Sequence, residues 1–424
     1  MSNFLFILNG YLPYASANGV CVQKIAGALK SAGHNVSCLD GVGDDESEYE
    51  DINGVHVYRI RALWHERVCN WCNRRPTSWY SNALRSVALW SWRLKRIILF
   101  PFWPLSAPLY ALKFYRRAKR ICQDEHISCV VGVYQPFESL FAIALLKKAF
   151  PEIHTVAYLC DCLSGGVVPK IFPGSFCRAK LLKVEYRYIK ILDTMLVLKS
   201  NEHYYANLYM KCDNVKKFQY VDIPFITKHE NSYSTHNLNT LNIVYTGMLN
   251  KYIRDPSYAI DTMRRMTIKG NIIFYGNTDT HDYFVSHNVQ SRYMKILYHN
   301  MISYVECEKV LRGTDILLNI SNRNTRQVPS KIFEYMSFGK PIITFYKDDK
   351  DTSLAYLRRY PLSLLIKEDD EKIDENAALI EKFIRENIGK SVPFETVKEL
   401  FPQNTPEYTA KILVELCGGG RLDE

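Results

Sequence analysis

One stretch of the chain has no acidic residue. From Arg67 to Gln123 there are twelve Lys or Arg residues and no Asp or Glu, whereas the whole chain has a formal net charge of +10. The stretch is also crowded with Trp and Phe and contains no recognisable nucleic-acid-binding motif. We therefore expect residues 64–120 to face an anionic membrane surface, and we expect no nucleic-acid partner.

The sequence also has no apolar run long enough to cross a bilayer. The segment 97–112 is uncharged for sixteen residues, but it contains Pro101, Pro104 and Pro108. A spanning helix needs about twenty mostly apolar residues. Two interpretations remain: an interfacial element that dips below the headgroups, or an insertion packed on its own domain with solvated arginines.

The N-terminus has no basic region before an apolar stretch and no small-residue cleavage site. We therefore expect a protein that is not secreted, located in the cytoplasm and peripheral on the inner face of the cell membrane.

The cysteines do not have the spacing of a disulfide framework. Twelve are scattered singly or as the close pairs Cys69/Cys72 and Cys160/Cys162, which is typical of reduced thiols. His65 with Cys69 and Cys72 has a metal-like spacing, but a single C-x-x-C without a second pair is weak support for zinc. We expect no metal site.

The order of apolar runs predicts two α/β domains. Runs without polar alternation, such as 4–8 and 36–39, are typical of strands buried on both faces of a parallel sheet. A polar connection at 227–239 precedes a second alternation of strands and helices. We assign residues 1–222 to the first domain, 223–395 to the second, and 396–424 to a C-terminal helix that packs back on the first.

The loop 10–19, GYLPYASANG, follows the first predicted strand and lacks the G-x-G-x-x-G spacing that seats a dinucleotide. A nicotinamide-dependent dehydrogenase is therefore disfavoured.

The most informative stretch is RQVPSKIFEYMSFGKPIITF (326–345), which runs from a loop through a predicted helix into a strand. A helix that begins at Ser330 offers unpaired N–H groups to a phosphate, and Lys331 adds a full positive charge. Glu334, one turn on, is placed to accept two hydroxyl hydrogens. The alternative is a surface loop capped by Ser330, with Lys331 and Glu334 solvated on an exposed helix face.

This stretch closely resembles the donor-site region of retaining GT-B glycosyltransferases of family 4 (glycosyl transferases group 1), in which P-S-K-x-x-E-Y-M-x-x-G-K-P-I-I is a frequent form. The resemblance implies an α/β, GT-B fold, with two Rossmann-like domains whose parallel sheets face a central cleft. It implies an acceptor-binding first domain and a nucleotide-sugar-binding second domain. It also implies that Glu334 accepts from the nucleotide ribose and that no metal or other cofactor is needed.

A second segment, IVYTGMLNKYIRDP (243–256), is similar to the family's strand, glycine loop and basic residue. The resemblance implies that Gly247 lets the backbone approach the donor and that Arg254, with Lys331, neutralises the departing diphosphate. Met248 stands at one position where the family has a basic residue. Alternatively, Arg254 is a helix-start residue that pairs with Asp255 or water.

Four further positions follow from the same resemblance. Ile302 would lie near the nucleobase and Asn322 near the donor sugar, with core packing as the alternative for both. Gly19 would bring backbone amides near the donor phosphates, or simply make a turn. Asp161 would orient or deprotonate the acceptor hydroxyl, or only make local backbone hydrogen bonds.

One position departs from the family pattern. Many members carry a first glutamate eight positions before the second, and the residue eight before Glu334 is Arg326. We expect a retaining, hexosyltransferase-like enzyme that moves a sugar from a nucleoside-diphosphate sugar to a glycan or lipid-linked acceptor in capsule, O-antigen or exopolysaccharide synthesis. The alternatives are a non-catalytic, membrane-associated partner subunit and a nucleotide-sugar 2-epimerase.

Overall fold

The computed structural model describes residues 1–12, 16–42, 47–61, 63–73, 79–166, 168–169, 172–209, 216–229, 240–278, 292–325 and 328–418. The chain divides into two compact units. The first unit is Met1–Pro224 with Pro406–Glu424, and the second is Phe225–Thr405.

The first unit is built on a sheet that has eight strands in the described part of the chain, in the order β3-β4-β2-β1-β5-β6-β7-β8. All neighbours are parallel except β3 and β4. The strands are β1 (Asn3–Leu8), β2 (Asn35–Val42), β3 (Tyr49–Ile52), β4 (Val55–Arg61), β5 (Cys129–Tyr134), β6 (His154–Leu159), β7 (Thr194–Leu198) and β8 (Phe218–Val221).

Helices fill the connections between these strands. They are α1 (Ala17–Ser31), α2 (Trp64–Asn73), α3 (Trp79–Ile98), α4 (Pro108–Asp124), α5 (Phe137–Ala149), α6 (Gly174–Ile191) and α7 (Glu202–Tyr209). Because strands β1, β5 and β7 carry continuous apolar runs, they are almost fully buried.

The second unit contains a wholly parallel sheet with the order β11-β10-β9-β12-β13-β14. Its strands are β9 (Leu241–Thr246), β10 (Gly270–Tyr275), β11 (Met294–His299), β12 (Ile316–Ile320), β13 (Ile342–Tyr346) and β14 (Ser363–Lys367). Its described helices are α8 (Ser257–Arg264), α9 (Tyr304–Gly313), α10 (Lys331–Ser337), α11 (Ser353–Leu357), α12 (Ile373–Asn387) and α13 (Phe394–Leu400). The prediction of two α/β units with parallel sheets is confirmed.

The last helix, α14 (Pro406–Cys417), belongs to the first unit and packs against α1. The residues of α14 that lie on this side, such as Ala410 and Leu413, are buried.

The aromatic basic segment is helical on both sides of its prolines. Helix α3 ends at Ile98, a single 3₁₀ turn covers Phe100–Phe102, and α4 begins at Pro108. Proline removes a backbone donor and fixes φ, so each of these prolines stands at a helix start or in the connection. Within the described ranges, no helix has both the length and the apolar character that a membrane span requires.

The start of the loop after β1 is held by a buried carboxylate. Asp40, buried at the end of β2, accepts hydrogen bonds from the N–H groups of Gly10 at 2.8 Å and Tyr11 at 3.0 Å. Gly19, in the first turn of α1, comes so close to this loop that an added Cβ would lie 1.9 Å from the carbonyl oxygen of Gly10. A glycine is therefore required at position 19.

This contact predicts opposite effects for the same substitution at two positions of α1. Gly19→Ala should lower the free energy of unfolding by about 1–3 kcal/mol, because the methyl group overlaps backbone that cannot move freely. Gly27→Ala should raise it by about 0.5–1 kcal/mol, because nothing lies within 4 Å of the added Cβ and alanine favours a helix interior. Urea unfolding of the three proteins measures both changes, and equal losses would contradict the contact.

Candidate functional site

The carboxyl ends of the parallel strands in the second unit share one edge of the sheet. The loop after β9 begins with Gly247, the loop after β12 contains Asn322, and α10 begins at Lys331 before the chain enters β13. In open α/β sheets this edge is where ligands bind. The predicted donor-side residues Gly247, Arg254, Asn322 and Lys331 therefore belong to one region of the fold.

The side chain of Arg254 is held in place by neutral acceptors. Its Nε and Nη2 donate to Oδ1 of Asn322 at 3.0 and 2.7 Å. Its Nη1 donates to the hydroxyl of Tyr245 at 3.2 Å and to the carbonyl oxygen of Met248 at 3.4 Å. Because these partners carry no charge, the guanidinium keeps its positive charge for an anion while its orientation is fixed.

The carboxylate of Asp255 has another partner. One of its oxygens accepts from the backbone N–H of Ser257 at 3.1 Å and from the Ser257 hydroxyl, at the start of α8. The contacts of Arg254 thus differ from the alternative in which Arg254 pairs with Asp255 next to it in sequence. Asn322, predicted near the donor sugar, has a definite structural role as the acceptor that aligns Arg254.

Gly247 has a backbone conformation that favours glycine, with φ at +145°. The N–H of Gly247 donates to the carbonyl oxygen of Tyr275 at 2.9 Å. A Cβ added to Gly276 would lie only 1.9 Å from the carbonyl oxygen of Gly247. The loops after β9 and β10 therefore touch backbone to backbone. An added Cβ on Gly247 itself would lie 3.5 Å from Nη1 of Arg254, so this glycine also lies beside the fixed guanidinium.

Lys331 and Glu334 form a salt bridge one turn apart on α10. The distance from Nζ to Oε2 is 2.5 Å, and the Glu334 side chain is only 2% exposed. Burial lowers the pKa of Lys331, but the attraction to Glu334 outweighs it and holds that pKa well above the usual range. The interpretation of both groups as solvated on an exposed helix face is wrong for Glu334, because the carboxylate is enclosed.

Ser330 does not act as a capping residue. Its backbone is helical, its side chain makes no cap hydrogen bond, and α10 begins one residue later than predicted. The surface loop capped by Ser330 is therefore not what the structure has.

Two basic side chains, Arg254 and Lys331, belong to this edge of the second sheet. Burial raises the pKa of Tyr245, and the positive charges of Arg254 and Lys331 both oppose that rise. These two basic side chains come from elements that are far apart in sequence. An arrangement of two cations with one enclosed carboxylate can bind a ligand that has both anionic oxygens and hydroxyl groups.

Tyr335, next to Glu334, makes a structural contact that the sequence analysis did not single out. Its hydroxyl accepts from the N–H of Thr246 at 2.9 Å and lies 3.1 Å from Oγ1 of the same residue. This fully buried contact ties α10 to the end of β9. The available signal was its place in the motif, directly after Glu334.

Ile302 lies in the loop between β11 and α9, directly before the Ser303 cap, and is partly buried. Cys307 of the same helix reaches the candidate site, because its sulfur is 3.7 Å from Nζ of Lys331. The contact of Ile302 with a nucleobase stays a prediction. Arg326 lies outside the described residues.

Gly19 and Asp161 belong to the first unit. The N–H of Gly19 donates to the Ser16 hydroxyl at 3.1 Å and so completes the cap of α1, which supports the turn interpretation of this glycine. Asp161 follows β6, and its burial raises the pKa of its carboxyl group above the ordinary range. A raised carboxyl pKa suits a group that exchanges a proton, and the acceptor-side role stays a prediction.

A second enclosed carboxylate fixes the loop that contains Asp161. Glu185, the sole acidic residue of α6, is fully buried and accepts from the hydroxyls of Ser164 at 2.5 Å, Tyr205 at 2.9 Å and Tyr209 at 2.8 Å. The residues after Asp161 are thereby anchored to α6 and α7. The only sequence signal was a lone acid in a basic and apolar helix.

The three residues with metal-like spacing do not meet in one place as ligands. Cys72 is buried, and the imidazole of His65 stacks on Trp92 with ring centroids 4.1 Å apart. In the part of the chain that the structure covers, no group of three or more His, Cys, Asp or Glu side chains is arranged to hold a metal ion.

No protein-family model and no curated protein matches the sequence. Solved structures do match. A glycosyltransferase from Rickettsia africae ESF-5 has a TM-score of 0.59 at 11% identity, with 100% of this chain and 99% of that chain covered. A trehalose-6-phosphate protein from E. coli, bound with UDP-2-fluoro glucose, has a TM-score of 0.59 at 14% identity, covering 98% of this chain and 99% of that chain.

The protein Alr3699/HepE from Anabaena, solved with UDP and glucose, has a TM-score of 0.55 at 12% identity, covering 99% of this chain and 98% of that chain. These likenesses extend over both units of the chain and agree with its two parallel sheets. The chain therefore has the GT-B fold.

The Lys331–Glu334 pair predicts a large and non-additive effect on stability. Lys331→Met should lower the free energy of unfolding by about 3 kcal/mol, because it leaves an enclosed carboxylate without its partner. In a double-mutant cycle, Lys331→Met with Glu334→Gln should cost clearly less than the sum of the two single changes. Denaturant unfolding gives all four values.

A matched control lies in the same unit. Lys382 and Glu386 on α12 are 4.0 Å apart, with side chains 74% and 57% exposed. Lys382→Met should therefore change stability by less than about 0.5 kcal/mol. If Lys331→Met costs no more than Lys382→Met, the carboxylate is not enclosed as described.

The burial of the Glu185 carboxyl group predicts that the stability of the fold depends on pH. Burial raises its pKa, although its hydroxyl partners oppose the rise, so the folded chain holds this proton more tightly than the unfolded chain. The resulting stabilisation is complete below the ordinary Glu pKa of about 4.3 and is lost as the pH rises through the folded pKa. The difference in Tm between wild type and Glu185→Gln should change as the pH rises through the titration of Glu185. A difference that stays constant with pH would contradict the assignment.

Proposed function

We propose that the chain is a retaining glycosyltransferase of the family 4 type, which moves a sugar from a nucleoside-diphosphate sugar to a glycan or lipid-linked acceptor. The observation that carries this proposal is the Arg254 guanidinium, held in place by uncharged partners, at the same sheet edge as the enclosed Lys331–Glu334 pair. This site lies at the carboxyl edge of the second sheet, where the fold favours ligand binding.

The chemistry of glycosyl transfer requires such a site. As the glycosidic bond to phosphate breaks, negative charge grows on the departing diphosphate while the sugar becomes oxocarbenium-like. The guanidinium of Arg254 is already oriented by Asn322 and Tyr245 before the ligand arrives, and it offers its positive charge and the remaining N–H of Nη2 to a phosphate oxygen. Because fixed dipoles and charges need no reorganisation, they stabilise the transition state more than mobile ones do.

Glu334 would accept hydroxyl hydrogens of the nucleotide ribose, with Lys331 compensating its charge. Gly247 would leave space for the donor beside Arg254, Ile302 would contact the base, and Asn322 would lie near the sugar as well as aligning the arginine. Ser330 would contribute its backbone N–H to a phosphate. In this scheme two basic side chains replace a metal ion, so no cofactor is needed.

Retention means that the acceptor attacks the face from which the diphosphate leaves, and a donor phosphate oxygen would take the acceptor proton. Asp161, on the loop that Glu185 anchors, would orient the acceptor hydroxyl. The shared fold with proteins solved with UDP or a UDP sugar supports a nucleotide-sugar donor.

We further propose that residues 64–120 bind an anionic membrane surface at the cytoplasmic face, where a lipid-linked acceptor would be presented. Capsule, O-antigen or exopolysaccharide synthesis fits such an acceptor. The support is the run of twelve cations without an acid between Arg67 and Gln123, together with the many exposed apolar side chains of α3.

The test is thermal stabilisation of the chain by a panel of nucleoside diphosphates, monophosphates and nucleosides. A ligand that binds only the folded state raises its stability, by about 2.7 kcal/mol at a hundredfold excess over Kd. One diphosphate should raise Tm, its monophosphate less, and Arg254→Gln should remove most of the difference between the two. Glu334→Gln should weaken every nucleotide that has ribose hydroxyls.

The control is Glu371→Gln, which changes an exposed glutamate of the same unit and should leave the shift unchanged. An undiminished diphosphate preference in Arg254→Gln would overturn the site assignment. Binding without release of nucleoside diphosphate from any donor sugar, with or without anionic vesicles, would instead favour a non-catalytic subunit.

A further inference from the structure

Helix α3 carries an apolar stripe on its outer side. Apolar residues recur there every three or four positions, and all are exposed, from 41% to 68%. They are Tyr80, Leu84, Val87, Trp90, Leu94 and Ile97. On the opposite side, Ser81 and Ala88 are buried as α3 packs on α2, and the Ser81 hydroxyl donates to the carbonyl oxygen of Cys72 at 3.0 Å. The helix thus presents outward the kind of stripe that a globular domain normally buries.

The charges beside this stripe are all positive. Helix α3 contains no acidic residue, and Arg93 and Arg96 are both exposed. Their guanidinium groups lie over indole rings, Arg93 over Trp90 at 5.7 Å and Arg96 over Trp92 at 5.9 Å. A stacked guanidinium keeps its charge and its outward N–H groups, so it can still bind a phosphate.

A cavity opens at the C-terminal end of the stripe. Its volume is about 370 Å³, within the range of small-molecule sites, and its walls are mainly apolar. Trp90, Ile97, Phe100 and Phe172 contribute to the apolar wall, while Arg93 and Arg96 also line the cavity.

The floor of the cavity is fixed to the core of the first unit. The ring of Phe100 stacks on Phe172 with centroids 3.5 Å apart. The ammonium of Lys180 on α6 donates to the carbonyl oxygens of Phe100 at 2.9 Å and Pro101 at 2.7 Å, and it lies 5.0 Å from the Phe100 ring. Phe100, which lines the cavity, is therefore fixed by Phe172 and by Lys180 of α6.

We propose that this cavity takes one anionic phospholipid of the bilayer, with its phosphate between Arg93 and Arg96 and the first part of an acyl chain along Trp90, Ile97 and Phe100. Leu84, Val87, Leu94 and Ile97 are aliphatic, which favours hydrocarbon over the stacking bases of a nucleic acid. The inference rests on the proposed membrane contact, which it narrows to one lipid at one place, and it is independent of the transfer reaction.

The experiment is co-sedimentation of the full chain with vesicles of phosphatidylcholine alone, or of phosphatidylcholine mixed with phosphatidylglycerol. Wild type should bind the mixed vesicles and bind phosphatidylcholine much less. Since each basic residue near an anionic surface contributes about a fivefold factor, Arg93→Gln with Arg96→Gln should weaken binding by about thirtyfold. Lys148→Gln with Lys411→Gln removes the same charge from two exposed positions of the same unit outside the stripe, and should change binding by less than about threefold.

Arg85 provides a second control, because it is exposed on α3 but does not line the cavity. Arg85→Gln should weaken binding less than Arg93→Gln does. Equal losses for these two variants, or for the two double variants, would overturn the cavity assignment in favour of a diffuse charge effect.

The position of the lipid's acyl chain is tested separately. Phosphatidylglycerol with brominated acyl chains should quench the tryptophan fluorescence, and Trp90→Phe should lose part of that quenching while keeping most of the binding. Quenching unaffected by Trp90→Phe would overturn the placement of the acyl chain, and displacement of vesicles by single-stranded RNA would overturn the choice of a lipid.

All variants are also measured for their nucleoside-diphosphate shift. Because the cavity lies in the first unit, Arg93→Gln with Arg96→Gln should keep that shift unchanged. Failure of wild type to bind any vesicle, with the nucleotide shift intact, refutes the lipid site and leaves donor binding standing. If no nucleoside diphosphate shifts the Tm of wild type while the mixed vesicles still bind, donor binding is refuted and the lipid site stands.

Discussion

The second unit depends on enclosing a carboxylate at the edge of its sheet. Glu334 can be buried because Lys331 is one turn away, and α10 can sit close to β9 because the hydroxyl of Tyr335 takes the N–H of Thr246. A buried charge without a partner would be costly, so the enclosed Glu334 requires Lys331 beside it.

The parallel sheet makes this convergence possible. Strands β9, β10 and β12 end at one edge, so loops that are far apart in sequence meet there. The loops after β9 and β10 approach so closely that Gly276 admits no side chain, and the loop after β12 supplies Asn322. The result is a preoriented guanidinium that is not neutralised by its own contacts, which is the property that a diphosphate site requires.

Much of the fold could be predicted from local pattern. The apolar run at 4–8, which predicts a strand buried on both faces of a parallel sheet, lies in β1 (Asn3–Leu8), and its five residues are all buried. Strand β3 was not predicted, because its sequence YEDI lies on an exposed edge and has no apolar pattern. Helix α3 was not predicted either, because its apolar stripe faces outward and its buried side consists of small residues such as Ser81 and Ala88.

The site was predictable only in part. The motif placed Lys331 and Glu334 one turn apart, but spacing alone could not show that Glu334 is enclosed or that Ser330 makes no cap. The contact between Arg254 and Asn322 spans 68 positions, and the anchoring of Ser164 by Glu185 spans 21. Such contacts follow from sheet order and helix packing, which a single sequence does not specify.

The central claim is that Arg254, Lys331 and Glu334 together form a nucleoside-diphosphate site. The most direct test is a crystal structure of the chain soaked with the nucleoside diphosphate that stabilises it. We expect the diphosphate oxygens within hydrogen-bond distance of the Arg254 guanidinium and the Lys331 ammonium, and the ribose hydroxyls on the Glu334 carboxylate. A nucleotide bound elsewhere, with the contact between Arg254 and Asn322 undisturbed and no ligand beside it, would contradict the account.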